Sequence, residues 1–165
     1  MYDVQKLTQL IGAPKNDAEL NKFFNNLGHE VPQQLPVADD YFHICDFERG
    51  SEFVFEDEAT FLGEGLLGSG RLNFTSFFLR SEYYKDKDYK PFTGVLPHGL
   101  SFNLSQSKVR DLLKEPDIVD DEISLSDSWE LDETRITLEY TQNGKHIEQV
   151  TIMDAAWFRR FTSEL

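Results

Sequence analysis

The chain has 165 residues and a formal charge of −14, from 30 acidic against 16 basic side chains, with 39% apolar residues that include 14 Phe. That is enough apolar material for one packed domain without metal or disulfide staples, and it excludes disorder throughout. The negative field disfavours nucleic acid and anionic lipid as partners, since both are held mainly by Lys and Arg, and favours a basic one.

The first predicted helix runs from about Asp3 to Ile11, with Val4, Leu7 and Ile11 on one stripe, closed by Gly12 and Pro14. The second starts at Asn16 as N-cap, with Glu19 as its capping-box partner. It buries Leu20, Phe23, Phe24 and Leu27 and ends at Gly28. Pro32 and Pro36 mark an extended connection. The period then moves towards two, giving strands at Tyr41 to Phe47 and Glu52 to Glu56 about the turn 48–51. Glycines 63, 65, 68 and 70 form a loop before a strand from Leu72 to Arg80.

A charged stretch, 81–94, places Tyr83, Tyr84 and Tyr89 among Lys85, Lys87 and Lys90. These tyrosines are either interface groups or cladding over the sheet. Past the turn 96–102, Ser105 caps a helix that carries Val109, Leu112 and Leu113 inward and stops at Pro116. An acidic loop leads to a strand beginning at Trp129. Arg135 to Thr141 alternates, with Ile136, Leu138 and Tyr140 on one side and Thr137 and Glu139 on the other. Asn143-Gly144 then signals a hairpin. Parity slips between Ile147 and Val150, which predicts a bulge or a twist there. Ala155 to Phe161 has the length of one or two helical turns, packing Trp157, Phe158 and Phe161.

The expected fold is therefore α+β, with a mainly antiparallel sheet and helices on one face. It is read as a single domain, 1–165. Within it, 1–80 and 95–153 form two related helix-then-three-strand halves joined by the charged connection 81–94. The spacing of Asn16, Leu20, Phe23 and Phe24 repeats in Ser105, Val109, Leu112 and Leu113. Either duplication or the 3.6-residue period common to capped amphipathic helices accounts for that repeat.

No sequence motif points to catalysis, a cofactor or a metal. Gly63-x-Gly65-x-x-Gly68 spells a dinucleotide fingerprint, but a strand follows it where a helix is required. His29, His43, His98 and His146 lack zinc spacing. No G-x-S-x-G elbow occurs, and neither acidic stretch has a calcium-loop pattern. Cys45 is alone, so no internal disulfide forms. With no basic n-region after Met1, and no apolar run of membrane-spanning length, the expected location is a reducing cytoplasm.

The carboxylates are the conspicuous feature. Glu115, Asp117, Asp120, Asp121, Glu122, Asp127, Glu130, Asp132 and Glu133 follow one another with no Lys or Arg among them. A second group is Asp39, Asp40, Asp46, Glu48, Glu52, Glu56, Asp57 and Glu58, broken only by Arg49. Each is either a solvated loop or a surface for a basic partner. On the second reading Asp117, Asp120, Asp121, Glu122 and Asp127, with Tyr83, Tyr84 and Tyr89, are the candidate partner-binding residues.

Ser105-x3-Val109-x2-Leu112-Leu113-x2-Pro116, Trp129, Ile136-x-Leu138-x-Tyr140 and Gly144-x2-Ile147-x2-Val150 form a familiar set. They resemble the helix-plus-three-strand unit of the beta-lactamase inhibitor protein and of small outer-membrane-assembly lipoproteins. With Leu10-Ile11-Gly12 and Leu96-Pro97-x-Gly99-Leu100-x-Phe102, the chain also resembles immunity proteins of bacterial contact-dependent growth-inhibition systems. The glycine-rich loop 63–70 has no counterpart in that pattern. The resemblance implies a non-enzymatic cytoplasmic protein that blocks a cognate toxin domain, often a nuclease. A scaffold or assembly protein of similar fold is the alternative, and an enzyme of unrecognised type is a third. Oligomeric state is not legible.

Overall fold

Seven strands form one sheet in the order β1-β2-β3-β7-β6-β5-β4, and every neighbouring pair is antiparallel. The strands are β1 (Tyr41–Asp46), β2 (Ser51–Asp57), β3 (Leu72–Arg80), β4 (Ile118–Asp120), β5 (Ser126–Leu131), β6 (Thr134–Tyr140) and β7 (Ile147–Asp154). The helices are α1 (Val4–Thr8), α2 (Ala18–Leu27), α3 (Glu58–Leu62), α4 (Gln106–Leu113) and α5 (Ala155–Ser163). This computed structural model describes residues 2–36, 39–63 and 67–163, leaving out the side chains of Phe161 and Ser163. The architecture is α+β, and the sheet is wholly antiparallel among the described residues. Two meanders, β1-β2-β3 and β4 to β7, meet where β3 pairs with β7, Phe77 opposite Ile152 and Leu79 opposite Val150.

Strand alternation sorts the side chains. Phe53, Phe55, Phe74, Phe77, Leu79, Val150, Ile152, Leu138, Ile136 and Trp129 line one face and belong to a single core. Thr75 is the extra residue of a bulge that brings Phe74 and Phe77 to that same face. α2 lies on it through Phe24, whose ring is 5.1 Å from Phe53, 5.4 Å from Phe55 and 5.8 Å from Phe74. Val4 and Leu7 of α1 and Val109 of α4 complete the layer.

α5 lies on the other face. Its Phe158 ring covers the Arg135 guanidinium at 4.2 Å, and Arg135 points away from its neighbour Ile136. The sequence placed the helices on one face; α1, α2 and α4 obey this and α5 does not. A helix that follows β7 directly, with Ala155 N donating to Glu133 O, turns back over the end of the sheet.

Several local expectations shift. The N-cap of α2 is Asp17, whose carboxylate accepts from Leu20 N at 2.8 Å, and not Asn16. α1 stops at Thr8, and Leu10 is more buried than Ile11. The chain then runs beside β3 where β7 does not reach, with Gly12 N donating to Phe74 O and Phe74 N to Ala13 O. Gly12 has φ +86, which a side chain would resist. β3 matches its predicted bounds. The hairpin between β6 and β7 turns at Asn143-Gly144, and Glu148 is the bulged residue, since Glu139 pairs with Gln149 and Tyr140 with Ile147.

α4 is capped by Ser105 as predicted, but Leu112 is 45% exposed. The stripe facing the sheet is Gln106, Val109, Arg110 and Leu113, the i, i+3, i+4, i+7 set, and Leu112 falls to its side. The acidic loop holds an unforeseen strand, β4, and β5 starts at Ser126, three residues ahead of Trp129. Ile118-Val119-Asp120 is too short for periodicity to reveal.

Candidate functional site

The two acidic groups have different fates. Most of the first-half carboxylates serve the fold. Asp46 accepts from Arg49 N at 3.1 Å and Arg49 Nη1 at 2.7 Å, and lies 3.1 Å from His29 Nε2. Asp57 caps α3 through Ala59 N and reaches Gly68 N at 3.0 Å. Glu58 pairs with Arg71 and Glu48 with Lys90. Glu52 sits on the sheet face opposite the aromatic core, bonded to His43, to Arg80 at 2.5 Å and to the Tyr89 hydroxyl at 3.0 Å. Burial alone would raise this carboxyl; hydrogen bonds from His43, Arg80 and Tyr89 outweigh that and hold it at about 2.

Glu56, on the same face as Glu52, behaves oppositely. It is buried, its Oε2 meets no partner, and Asp40 adds a like charge. Burial pushes it up to about 7, against the lowering effect of His43.

The stretch 81–94 is more than a connection. It crosses the polar face as a strap, tied by Lys90 N to Phe47 O and Phe92 N to Arg80 O. Arg80 is clamped by Tyr89 at 3.8 Å and Tyr84 at 4.6 Å, and its Nε donates to Gln149 at 3.1 Å. Tyr83 stacks on His146 at 4.1 Å and donates to Asn103. All three candidate tyrosines make contacts within the chain: Tyr84 and Tyr89 clad Arg80 on the sheet, while Tyr83 lies at the surface against His146 and Asn103.

The second acidic group surrounds β4, the last strand of the sheet. Asp127 does not face solvent: it is 0% exposed. Its carboxylate takes a fork from Arg110, Nε at 2.9 Å and Nη2 at 2.6 Å, with Gln106 at 3.2 Å and the Tyr140 hydroxyl at 3.4 Å. It shares parity with Trp129 and stands opposite Leu138, which turns it to the core face under α4. A buried residue cannot touch a partner, so Asp127 leaves the candidate set.

Asp117 and Asp120 are partly committed. Asp117 accepts from Glu130 N at 2.6 Å, and Asp120 closes a turn by accepting from Glu122 N at 3.0 Å and Ile123 N at 3.2 Å. Asp121 and Glu122 are exposed at that turn.

Sequence reading passed over the apolar part of this edge. Ile123 is 92% exposed, and Leu112, Ile118 and Val119 are each about half exposed. These four lie within twelve residues of chain, in its most acidic segment. Aliphatic groups left exposed on both faces of an edge strand and at the turn beyond it are a candidate interaction surface. The Ile-Val pair inside a carboxylate run was the available signal.

The other dismissed motifs have simple structural places. Gly63 caps the C-terminus of α3 at φ +73, and β3 follows the loop, so helix and strand stand in the reverse of the dinucleotide order. Gly65 lies outside the described residues. Among the described residues no three His, Cys, Asp or Glu converge to hold a metal ion, and no helix is long and apolar enough to cross a membrane. No protein family, curated protein or solved structure matches the chain.

Proposed function

We propose that this chain is an immunity protein, which neutralises a cationic toxin domain by covering the domain's positive surface with the edge around β4. The observation that carries this reading is the pairing of exposed Ile118, Val119 and Ile123 with Asp121 and Glu122, in a stretch without a single base. An interface of this kind needs apolar anchors for slow dissociation and charge for fast encounter, and both are supplied together here. A nuclease gathers positive charge to hold its substrate, so an acidic inhibitor competes for the same surface. The strap tyrosines, which contact Arg80, Glu52, His146 and Asn103, are not needed for this reading.

Asp121 and Glu122 are the pair to neutralise, because Asp120 holds the turn and Asp127 holds α4. With Asp121→Ser and Glu122→Ser together, association with the cognate toxin domain is expected to slow by roughly 3- to 10-fold at low salt. The effect should fade as the Debye length shrinks towards ~8 Å at physiological ionic strength. Stopped-flow mixing across a salt series reads this directly. Unchanged association at low salt would leave the acidic segment a solvated loop.

A further inference from the structure

We infer that the partner is received at β4 by strand addition: an extended segment bearing Lys or Arg pairs with its open edge as an eighth strand. This rests on the binding reading above and specifies how the partner engages.

β4 pairs with β5 on one side through Ile118–Ser128, Val119–Asp127 and Asp120–Ser126, and among the described residues it ends the sheet on the other. A terminal strand presents unpaired N–H and C=O groups that template another strand. Proteins guard such edges with short strands, proline and charge, and Pro116, Asp117, Asp120, Asp121 and Glu122 would do that here. A guarded edge has no use for exposed aliphatic groups, yet this one carries Val119 on the helix-bearing face and Ile118 on the opposite face, with Ile123 beyond the turn. An incoming strand alternates its side chains, so it meets an aliphatic contact on each side of the sheet.

Charge selects the occupant. A second copy of this edge would set its carboxylates against their own kind, on chains that each carry −14. A basic strand pairs the same carboxylates favourably and excludes acidic competitors.

The test uses a short synthetic peptide alternating Lys and Val as the probe, with a Glu-Val counterpart and a Lys-Val peptide interrupted by proline. The Lys-Val peptide is expected to bind the intact chain and to slow amide exchange at 118–120 by roughly tenfold or more. The Glu-Val peptide should bind at least roughly tenfold more weakly. The proline-interrupted peptide keeps the charge but cannot pair its backbone, and should protect nothing. Val119→Lys, at an exposed position that leaves the fold intact, should abolish the protection. Peptide bound without protection at 118–120 would overturn strand addition while leaving the acidic-edge reading to the toxin kinetics. Failure of the Lys-Val peptide to bind would overturn strand addition as well. If Asp121→Ser with Glu122→Ser also left toxin association unchanged, both readings would fall.

Discussion

Asp127→Ser is expected to destabilise the chain by about 3 kcal/mol, whereas Asp121→Ser, six residues earlier, should stay within about 0.5 kcal/mol of the parent. The difference comes from what each carboxylate holds. Removing Asp127, itself fully buried, leaves the Arg110 fork, the Gln106 amide and the Tyr140 hydroxyl without their common acceptor. Breaking a buried pair costs about 3–5 kcal/mol. The lower end applies because the Arg110 side chain is one-third exposed and recovers part of its hydration. Urea unfolding should show a lower midpoint with an unchanged slope. Equal midpoints for the two variants would mean that Asp127 does not anchor α4.

The second large effect is a dependence on pH set by two neighbouring glutamates with opposite signs. Glu56 has a carboxyl near 7 in the fold against 4.5 for an unperturbed one. Between those values the folded chain holds a proton that the unfolded chain has lost, so stability falls as pH rises from 4.5 to 7 and is level above that. The span corresponds to about 3 kcal/mol. Glu52, held at about 2, contributes stability that is full above 4.5 and lost as pH falls towards 2. The joint contribution of these two carboxyls is therefore greatest near pH 4.5, and mutual repulsion within a −14 chain adds to the decline above it. Glu56→Gln is expected to flatten the fall in Tm between pH 5 and pH 8 and to raise Tm at pH 8. A parent chain equally stable at both pH values would contradict the buried, unpartnered state of Glu56.

Elements with long, regular patterns were legible in the sequence, because burial repeats with the backbone period. Leu20, Phe23 and Phe24 between a cap and Gly28 define α2, and Ile136, Leu138 and Tyr140 define the core side of β6. Carboxylates carry no such period. Asp121 and Asp127 look alike in a string of acids, and their roles are decided by Arg110, which lies elsewhere in the chain. One local clue was present: Asp127 and Trp129 share strand parity, so a strand with Trp129 inward turns Asp127 inward too. Leu112 misled for the reverse reason. It is apolar and helical, but lies beside the stripe set by Gln106, Val109, Arg110 and Leu113. The proposed binding edge was half legible, its charge from composition and its Ile118-Val119 pair from the string of acids, but its strand and the exposure of those side chains only from the fold.

Hydrogen exchange over the whole chain, free and bound to a cognate toxin domain, tests the central claim most directly. Slowed exchange is expected to concentrate at 112–123, with β1 and the strap 81–94 unchanged. Protection confined to the strap or to β1, with 112–123 exchanging as in the free chain, would contradict it.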